Sequence, residues 1–246
     1  MTHAEYIRQG TQSDTAVLMI HGICSTPRHF DWLVDLFDES WSVYNILLDG
    51  HGGSVQDFSR TSMKKWKAQT YRMLEQLSGQ YESVLLIGFS LGTLLQLHAL
   101  PAFPKVKGML LLNTPMCPWV SGRMVKYSMT MLWGKVAEDD CHAYACSQDV
   151  SIRLSKNPFL YLGWLPRFAE LLQLCAYGRK HGGDIRVPCY AYFGGRDELV
   201  SLRSKKYLEN NPNVTVRVFD SAGHFWFSPE DQQTVRQDLQ ALLSRL

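Results

Sequence analysis

The segment Gly88-Phe89-Ser90-Leu91-Gly92, set directly after the apolar run Ser83-Val84-Leu85-Leu86-Ile87, constrains the fold of this chain more than any other stretch. A short apolar run without polar alternation reads as a strand buried on both faces, as in a parallel sheet. The residues from Ser90 to Leu100 then read as a helix, stopped by Pro101. A turn that passes from strand to helix this abruptly has no room for Cβ atoms beside its apex, so glycines bracket a serine held above the sheet edge. The G-x-S-x-G pattern alone is weak. The strand before it and the helix after it are what make it read as a nucleophile elbow.

The same alternation runs through most of the sequence. Ala16–Ile20 reads as a strand, Thr26-Pro27 as the start of a helix reaching Phe37, and Val43–Leu48 as the next strand. Ser62 opens a helix in which Trp66, Tyr71, Leu74 and Leu77 recur at helical spacing, and Val106–Leu112 is a strand beyond the elbow helix. Strands follow at Val187–Phe193 and Val214–Phe219, and a helix from Ser228 to Leu246 closes the chain. Before Val17 there is room for little more than one edge strand. Alternating strands and helices predict an α/β fold, with a mostly parallel central sheet covered by helices on both faces. The rhythm breaks between about Pro115 and Asp184, where short helical pieces carry Trp119, Met124, Met129, Trp133, Phe159, Tyr161, Trp164 and Phe168. This predicts a core of residues 1–114 and 185–246 with a helical cap inserted as residues 115–184. At 246 residues and 46% hydrophobic content, such a chain can bury one large core.

Charge and cysteine usage exclude other classes. The net charge is +2 without a dense Lys/Arg tract, which argues against nucleic acid. The opening Met1-Thr2-His3-Ala4-Glu5-Tyr6 lacks the layout of a secretory signal, and no apolar stretch reaches membrane-spanning length. A cytoplasmic location without stable membrane insertion is therefore expected. The six cysteines, Cys24, Cys117, Cys141, Cys146, Cys175 and Cys189, follow no framework spacing and are expected to be reduced. Asp139-Asp140-Cys141-His142 with Cys146 lacks a second ligand pair at a zinc spacing, so neither a metal nor a cofactor is expected.

A serine hydroxyl attacks only when a base takes its proton, and that base needs an anionic partner. In a parallel sheet these groups gather at the carboxyl ends of the strands. Asp197 follows Phe193-Gly194-Gly195-Arg196 past one late strand, and His224 follows Asp220-Ser221-Ala222-Gly223 past the other. Ser90, Asp197 and His224 thus stand in the chain order of a nucleophile-elbow triad. Asp197 also has the position of a helix N-cap, and its rivals as the acid are Asp220 and Glu198. Two backbone N–H groups are placed to hold an oxyanion: that of Leu91, after the serine, and that of Ile23, after His21-Gly22. The imidazole of His21 itself reads as bonded to a neighbouring loop.

His21-Gly22-Ile23 with Ser25-Thr26-Pro27, Asp49-Gly50-His51-Gly52-Gly53-Ser54, the elbow, Gly194-Gly195-Arg196-Asp197 and Ser221-Ala222-Gly223-His224 together resemble the α/β-hydrolase superfamily. More narrowly, they are similar to bacterial carboxylesterases and monoacylglycerol lipases, which show an H-G-x-x-G-T-P segment, a G-H-G loop and a G-x-S-x-G elbow. The resemblance runs from about Val17 to the C-terminus outside the cap. It implies the α/β-hydrolase fold, the triad Ser90, Asp197 and His224, and an oxyanion hole of Ile23 and Leu91. The complete triad beside an apolar cap leads to the expectation of a serine hydrolase that cleaves short- to medium-chain acyl esters or monoglycerides through an acyl-enzyme, as a monomer or homodimer. Trp119, Trp133, Phe159 and Trp164 are the cap residues singled out as candidate substrate contacts. The chain departs from the pattern at Cys24-Ser25 and at Thr93, where relatives often carry glycine. Other chemistry on this scaffold would be a serine aminopeptidase, with Glu138, Asp139 and Asp140 receiving an ammonium, a thioesterase, or a ligand-binding protein with residual hydrolase activity.

Overall fold

Strands that alternate with helices can run parallel only if each helix crosses back over a face of the sheet. The computed structural model describes residues 3–11, 14–134 and 136–245; Met1, Thr2 and Leu246 of the sequence reading lie outside them. Its seven strands are β1 (Tyr6–Arg8), β2 (Thr15–Ile20), β3 (Ser42–Ile46), β4 (Ser83–Phe89), β5 (Val106–Leu112), β6 (Cys189–Gly194) and β7 (Val214–Phe219). They form one sheet in the order β1-β3-β2-β4-β5-β6-β7. The edge strand β1 pairs antiparallel with β3, and the remaining pairs are parallel. Both β2 and β3 are buried at every position, which is why their sequences are apolar without alternation.

Among the described residues eight α-helices accompany the sheet: α1 (Asp31–Val34), α2 (Val55–Ser59), α3 (Met63–Gln80), α4 (Leu91–Ala99), α5 (Gly122–Trp133), α6 (Cys141–Asp149), α7 (Leu165–His181) and α8 (Pro229–Leu243). Successive strand residues point to opposite faces, and the core divides accordingly. Leu18, Ile20 and Leu86 pack with Trp66 and Leu74 of α3, Leu94 of α4 and Leu174 of α7. On the other face Val17, Met19, Leu85 and Ile87 pack with Leu33 of α1 and with Val235, Leu239 and Leu242 of α8. Ser62 caps α3 by accepting the Lys65 N–H, and Ser228 forms a capping box with Asp231 at the start of α8. Each cap is worth about 1 kcal/mol.

The closing helix ends at Leu243 and not at Leu246, and three further boundaries that differ from those read in the sequence have a visible cause. The helix expected from Thr26 to Phe37 is a 3-10 turn over Pro27–Phe30 followed by the single turn α1. Thr26 provides no cap, and its hydroxyl instead meets His3 Nδ1 at 3.1 Å. β3 ends at Ile46 and not at Leu48, because the Leu48 N–H leaves the ladder to donate to His21 Nε2 at 3.0 Å. β6 starts at Cys189 and not at Val187, since Pro188 has no N–H to give to the sheet.

Between β5 and β6 the described residues of 115–184 form α5, α6, α7 and two 3-10 turns, Pro158–Trp164 and Gly182–Asp184. Of these, α7 lies against the elbow helix. A Cβ at Gly178 would come within 2.6 Å of Leu94 Cδ2.

Candidate active site

β4 delivers the chain to the elbow at the centre of the sheet's carboxyl edge. Ser90 has φ 50° and ψ −118°, a conformation that L-residues seldom adopt. It is held there by its own N–H, which donates to Leu112 O at 2.9 Å, and by crowding on both flanks. A Cβ at Gly92 would lie 1.9 Å from Ile20 O, and one at Gly88 would lie 2.5 Å from Gln96 Oε1 and 2.9 Å from Thr93 Cα. Thr93, at a position where relatives often have glycine, is fully buried and donates its hydroxyl to Ser90 O at 2.6 Å. The elbow therefore gains a local hydrogen bond from the departure.

Asp197 and His224 meet beside it. His224 Nδ1–H donates to both Asp197 oxygens, at 2.8 Å to Oδ2 and 3.0 Å to Oδ1. A carboxylate only accepts, so the bond fixes the proton on Nδ1 and leaves Nε2 able to take another. Asp197 Oδ1 also accepts the N–H groups of Leu199 and Val200, both at 2.7 Å. One side chain thus meets both the histidine ring and the loop backbone, but Asp197 caps no helix: the next helical turn, the 3-10 turn Leu202–Tyr207, starts later and is capped by Ser201. Of the rivals of Asp197, Glu198 bonds the backbone N–H of His224 at 2.9 Å and not the ring.

One residue absent from the sequence reading ties these loops together. Asn113, directly after β5, takes φ 50° with its side chain buried. Its Nδ2 donates to Gly223 O at 3.1 Å and His224 O at 2.9 Å, while its Oδ1 accepts the Gly194 N–H at 2.9 Å. Leu112 therefore holds Ser90 and the next residue holds the His224 loop, which brings the serine and the histidine to one strand end. Asn is among the few residues that tolerate left-handed φ, so an Asn closing an apolar strand was the available signal. Ser90 Oγ and His224 form no hydrogen bond in this structure. Such bonds are commonly long in unliganded sites and tighten around substrate.

Opposite the elbow, the loop from His21 to Cys24 is fastened by two histidines. His21 Nε2 accepts the Leu48 N–H, and His51 Nε2 accepts the Cys24 N–H at 3.1 Å, with the rings edge-to-face at 4.8 Å. Cys24 is held at φ 58°, the unfavourable conformation that glycine would ease. A Cβ at Gly22 would come 3.0 Å from Ser90 Cβ, so the loop lies directly on the elbow. Neither Ile23 N–H nor Leu91 N–H donates to a protein acceptor among the described residues; the latter opens α4, which has no side-chain cap.

Burial drives the pKa of His21 well below 6.5 and that of His51 down to about 4, so both stay neutral acceptors in the fold. Unfolded, each would take a proton as the pH falls below about 6.5. The folded state binds fewer protons, so stability is full above pH 6.5 and drops as the pH falls toward about 4. Each neutral histidine contributes a slope of about 1.4 kcal/mol per pH unit there. Urea unfolding of His51→Gln between pH 6.5 and 4.5 is expected to show a slope lower by about one proton than the wild type. Identical slopes would contradict this reading.

An apolar cavity of about 360 Å³ opens beside these loops, lined among others by Ile23, Cys24, Met124, Met131, Leu154, Trp164, Phe168, Leu199 and Phe225. Of the four aromatic residues singled out in the sequence, Trp164 lines it, with its indole N–H bonded to Val55 O at 3.0 Å. Trp119, Trp133 and Phe159 are not among its lining residues. They are exposed, at 51%, 62% and 76%, and Lys156 sits over the Trp133 ring. The acidic triplet lies elsewhere: Asp140 caps α6, and Asp139 and Asp140 share a separate cavity with Arg123, Arg196 and His142. The two arginines offset the charge that an ammonium would need. Among the described residues no group of three or more His, Cys, Asp or Glu side chains is arranged to hold a metal ion, and no helix is long and apolar enough to cross a membrane.

The chain belongs to the alpha/beta hydrolase family, whose model matches residues 17–237. Among individual proteins, it is 26% identical over 98 residues to the thermostable monoacylglycerol lipase of Bacillus sp. (strain H-257), a match that spans 39% of this chain and 39% of the lipase. Its fold is similar to that of a metagenome-derived lipolytic enzyme from work on LipS and LipT (TM-score 0.74, 15% identity, covering 99% of this chain and 98% of the other). The monoacylglycerol lipase of Paleococcus ferrophilus shares it as well (TM-score 0.66, 18% identity, covering 100% of both). So does MenH from S. aureus (TM-score 0.66, 18% identity, covering 100% and 99%).

Proposed function

We propose that this protein is a serine hydrolase of carboxylic esters, acting on short- to medium-chain acyl esters or monoglycerides through an acyl-enzyme. The observation that carries the proposal is the Asp197–His224 pair, bonded through Nδ1 and tethered by Asn113 to the strand end that carries Ser90. In this reading Ser90 Oγ attacks the ester carbonyl while His224 Nε2 takes its proton, and Asp197 stabilises the resulting imidazolium. The N–H groups of Ile23 and Leu91 receive the tetrahedral oxyanion. Collapse breaks the carbonyl–alkoxy bond, and the departing alcohol takes the proton from His224. A water, deprotonated by the same ring, then attacks the acyl-Ser90 ester and releases the acid.

The acyl chain is assigned to the apolar cavity of about 360 Å³, and residues 115–184, which supply much of its wall, are assigned as the cap. Turnover of p-nitrophenyl esters from acetyl to long-chain acyl tests this. The wild type is expected to peak at one chain length, and Met131→Trp, which fills the cavity, to move that peak to a shorter chain. The longest acyl group accepted should lose about tenfold in kcat/KM while acetyl changes little. Equal losses at every length would separate the cavity from the acyl group, and no turnover of any ester would overturn the proposal.

A further inference from the structure

Glu198 follows the proposed acid directly, and the mechanism above does not use it. Its carboxylate is buried, with 2% of the residue exposed, in a place where an unpaired charge is costly. Oε2 accepts the His224 backbone N–H at 2.9 Å. Oε1 makes no hydrogen bond, yet it lies 3.5 Å from Arg123 Nη2 and 3.7 Å from His142 Nδ1. Arg123 belongs to α5 and His142 to α6. The backbone reinforces the joint, because Glu198 O accepts the Ser121 N–H at 2.9 Å and Arg123 donates to Arg196 O at 2.5 Å. There is no slack between the parts: a Cβ at Gly223 would stand 2.4 Å from His142 Nδ1 and 2.9 Å from Glu198 Oε2.

We infer that Glu198 is a positioning residue, which fixes the backbone of His224 and, through Arg123 and His142, ties that placement to the seating of α5 and α6 on the sheet edge. Asp197 sets the ring of the histidine and Glu198 sets the peptide that carries it. A buried carboxylate serves here better than an apolar side chain, since of the two it alone accepts the amide N–H while it draws in the Arg123 guanidinium from α5 and sets an acceptor beside the His142 ring of α6. The inference rests on the hydrolase reading above.

The test compares Glu198→Ala, Glu198→Gln, Arg123→Ala and the double variant E198Q/R123A, with kcat and KM measured on one p-nitrophenyl ester and thermal midpoints alongside. Glutamine keeps a carbonyl for the His224 N–H but gives up the ion pair. Glu198→Ala should lose about 30-fold in kcat with KM within about threefold, and Glu198→Gln should restore kcat to within about fivefold of wild type. Arg123→Ala should resemble Glu198→Gln and add nothing to it, since both remove the same pairing. Wild-type kcat in Glu198→Ala, equal damage from alanine and glutamine, or additive losses from Arg123→Ala and Glu198→Gln would each overturn the inference. Should Glu198→Ala fail to fold, the glutamine and arginine variants decide through their additivity. Ser90→Ala assayed beside them separates the two claims. Activity that survives in that variant rejects the hydrolase reading, whereas Ser90-dependent activity indifferent to Glu198 rejects only the inference.

Discussion

Ser90→Ala is expected to lower kcat/KM for an acyl ester by about 10,000-fold or more while leaving the thermal midpoint close to that of the wild type. The size follows from how the site is divided. In the proposed mechanism the alanine variant keeps the apolar cavity and the N–H groups of Ile23 and Leu91, assigned to binding and to oxyanion stabilisation, but it has no atom to form the acyl-enzyme. The small cost in stability follows from the elbow itself. The bonds that hold it, Ser90 N–H to Leu112 O and Thr93 Oγ1–H to Ser90 O, are to the backbone and survive the substitution. One penalty remains, because φ 50° is no easier for alanine than for serine. A loss of less than about tenfold in an otherwise folded variant would remove Ser90 from the mechanism.

Gly92→Ala is expected to destabilise the fold by about 3 kcal/mol or more, read as a lower midpoint in urea with an unchanged slope. A Cβ there would lie 1.9 Å from Ile20 O and 2.6 Å from Ile20 C, and both atoms belong to the backbone of a buried central strand. No rotamer change relieves such an overlap. Either α4 must lift from β2 or β2 must bend, and both open the core around Leu94 and Ile20. The Leu91 N–H moves with α4, so surviving activity should fall as well. Gly79→Ala is the control. That position lies near the end of α3 with nothing within 4 Å of the new methyl, and the substitution is expected to be neutral or to add about 0.5–1 kcal/mol.

The sheet was legible because its central strands are buried on both faces and interrupted by glycine, proline and capping serines. Ser62 and Ser228 cap their helices where the sequence placed them. What eluded reading depends on atoms that meet only after folding. β3 ends early because His21, twenty-seven residues away, takes the Leu48 N–H. Asn113 and Glu198 look like an ordinary strand end and an ordinary loop acid until they reach the His224 backbone, 111 and 26 residues distant. Positions after strand ends can be found by pattern, and that is where Ser90, Asp197 and His224 lie. The side chains that brace them cannot. Within the 115–184 segment, aromatic and methionine residues were the clue to a cavity wall; Met124 and Met129 do line it, but residue type does not say which side of a short helix faces inward. Trp164 faces the cavity while Trp119, Trp133 and Phe159 stand in solvent.

The central claim is that Ser90 is made nucleophilic by His224, and covalent labelling measures that directly. A fluorophosphonate reacts with a serine only when a base activates it, so the wild type should gain one adduct, mapped by peptide mass spectrometry to the segment containing Ser90. His224→Ala should slow its formation by at least about 1,000-fold. An adduct on another residue, no adduct on a protein that still turns over esters, or labelling of Ser90 at an undiminished rate without His224 would contradict the account.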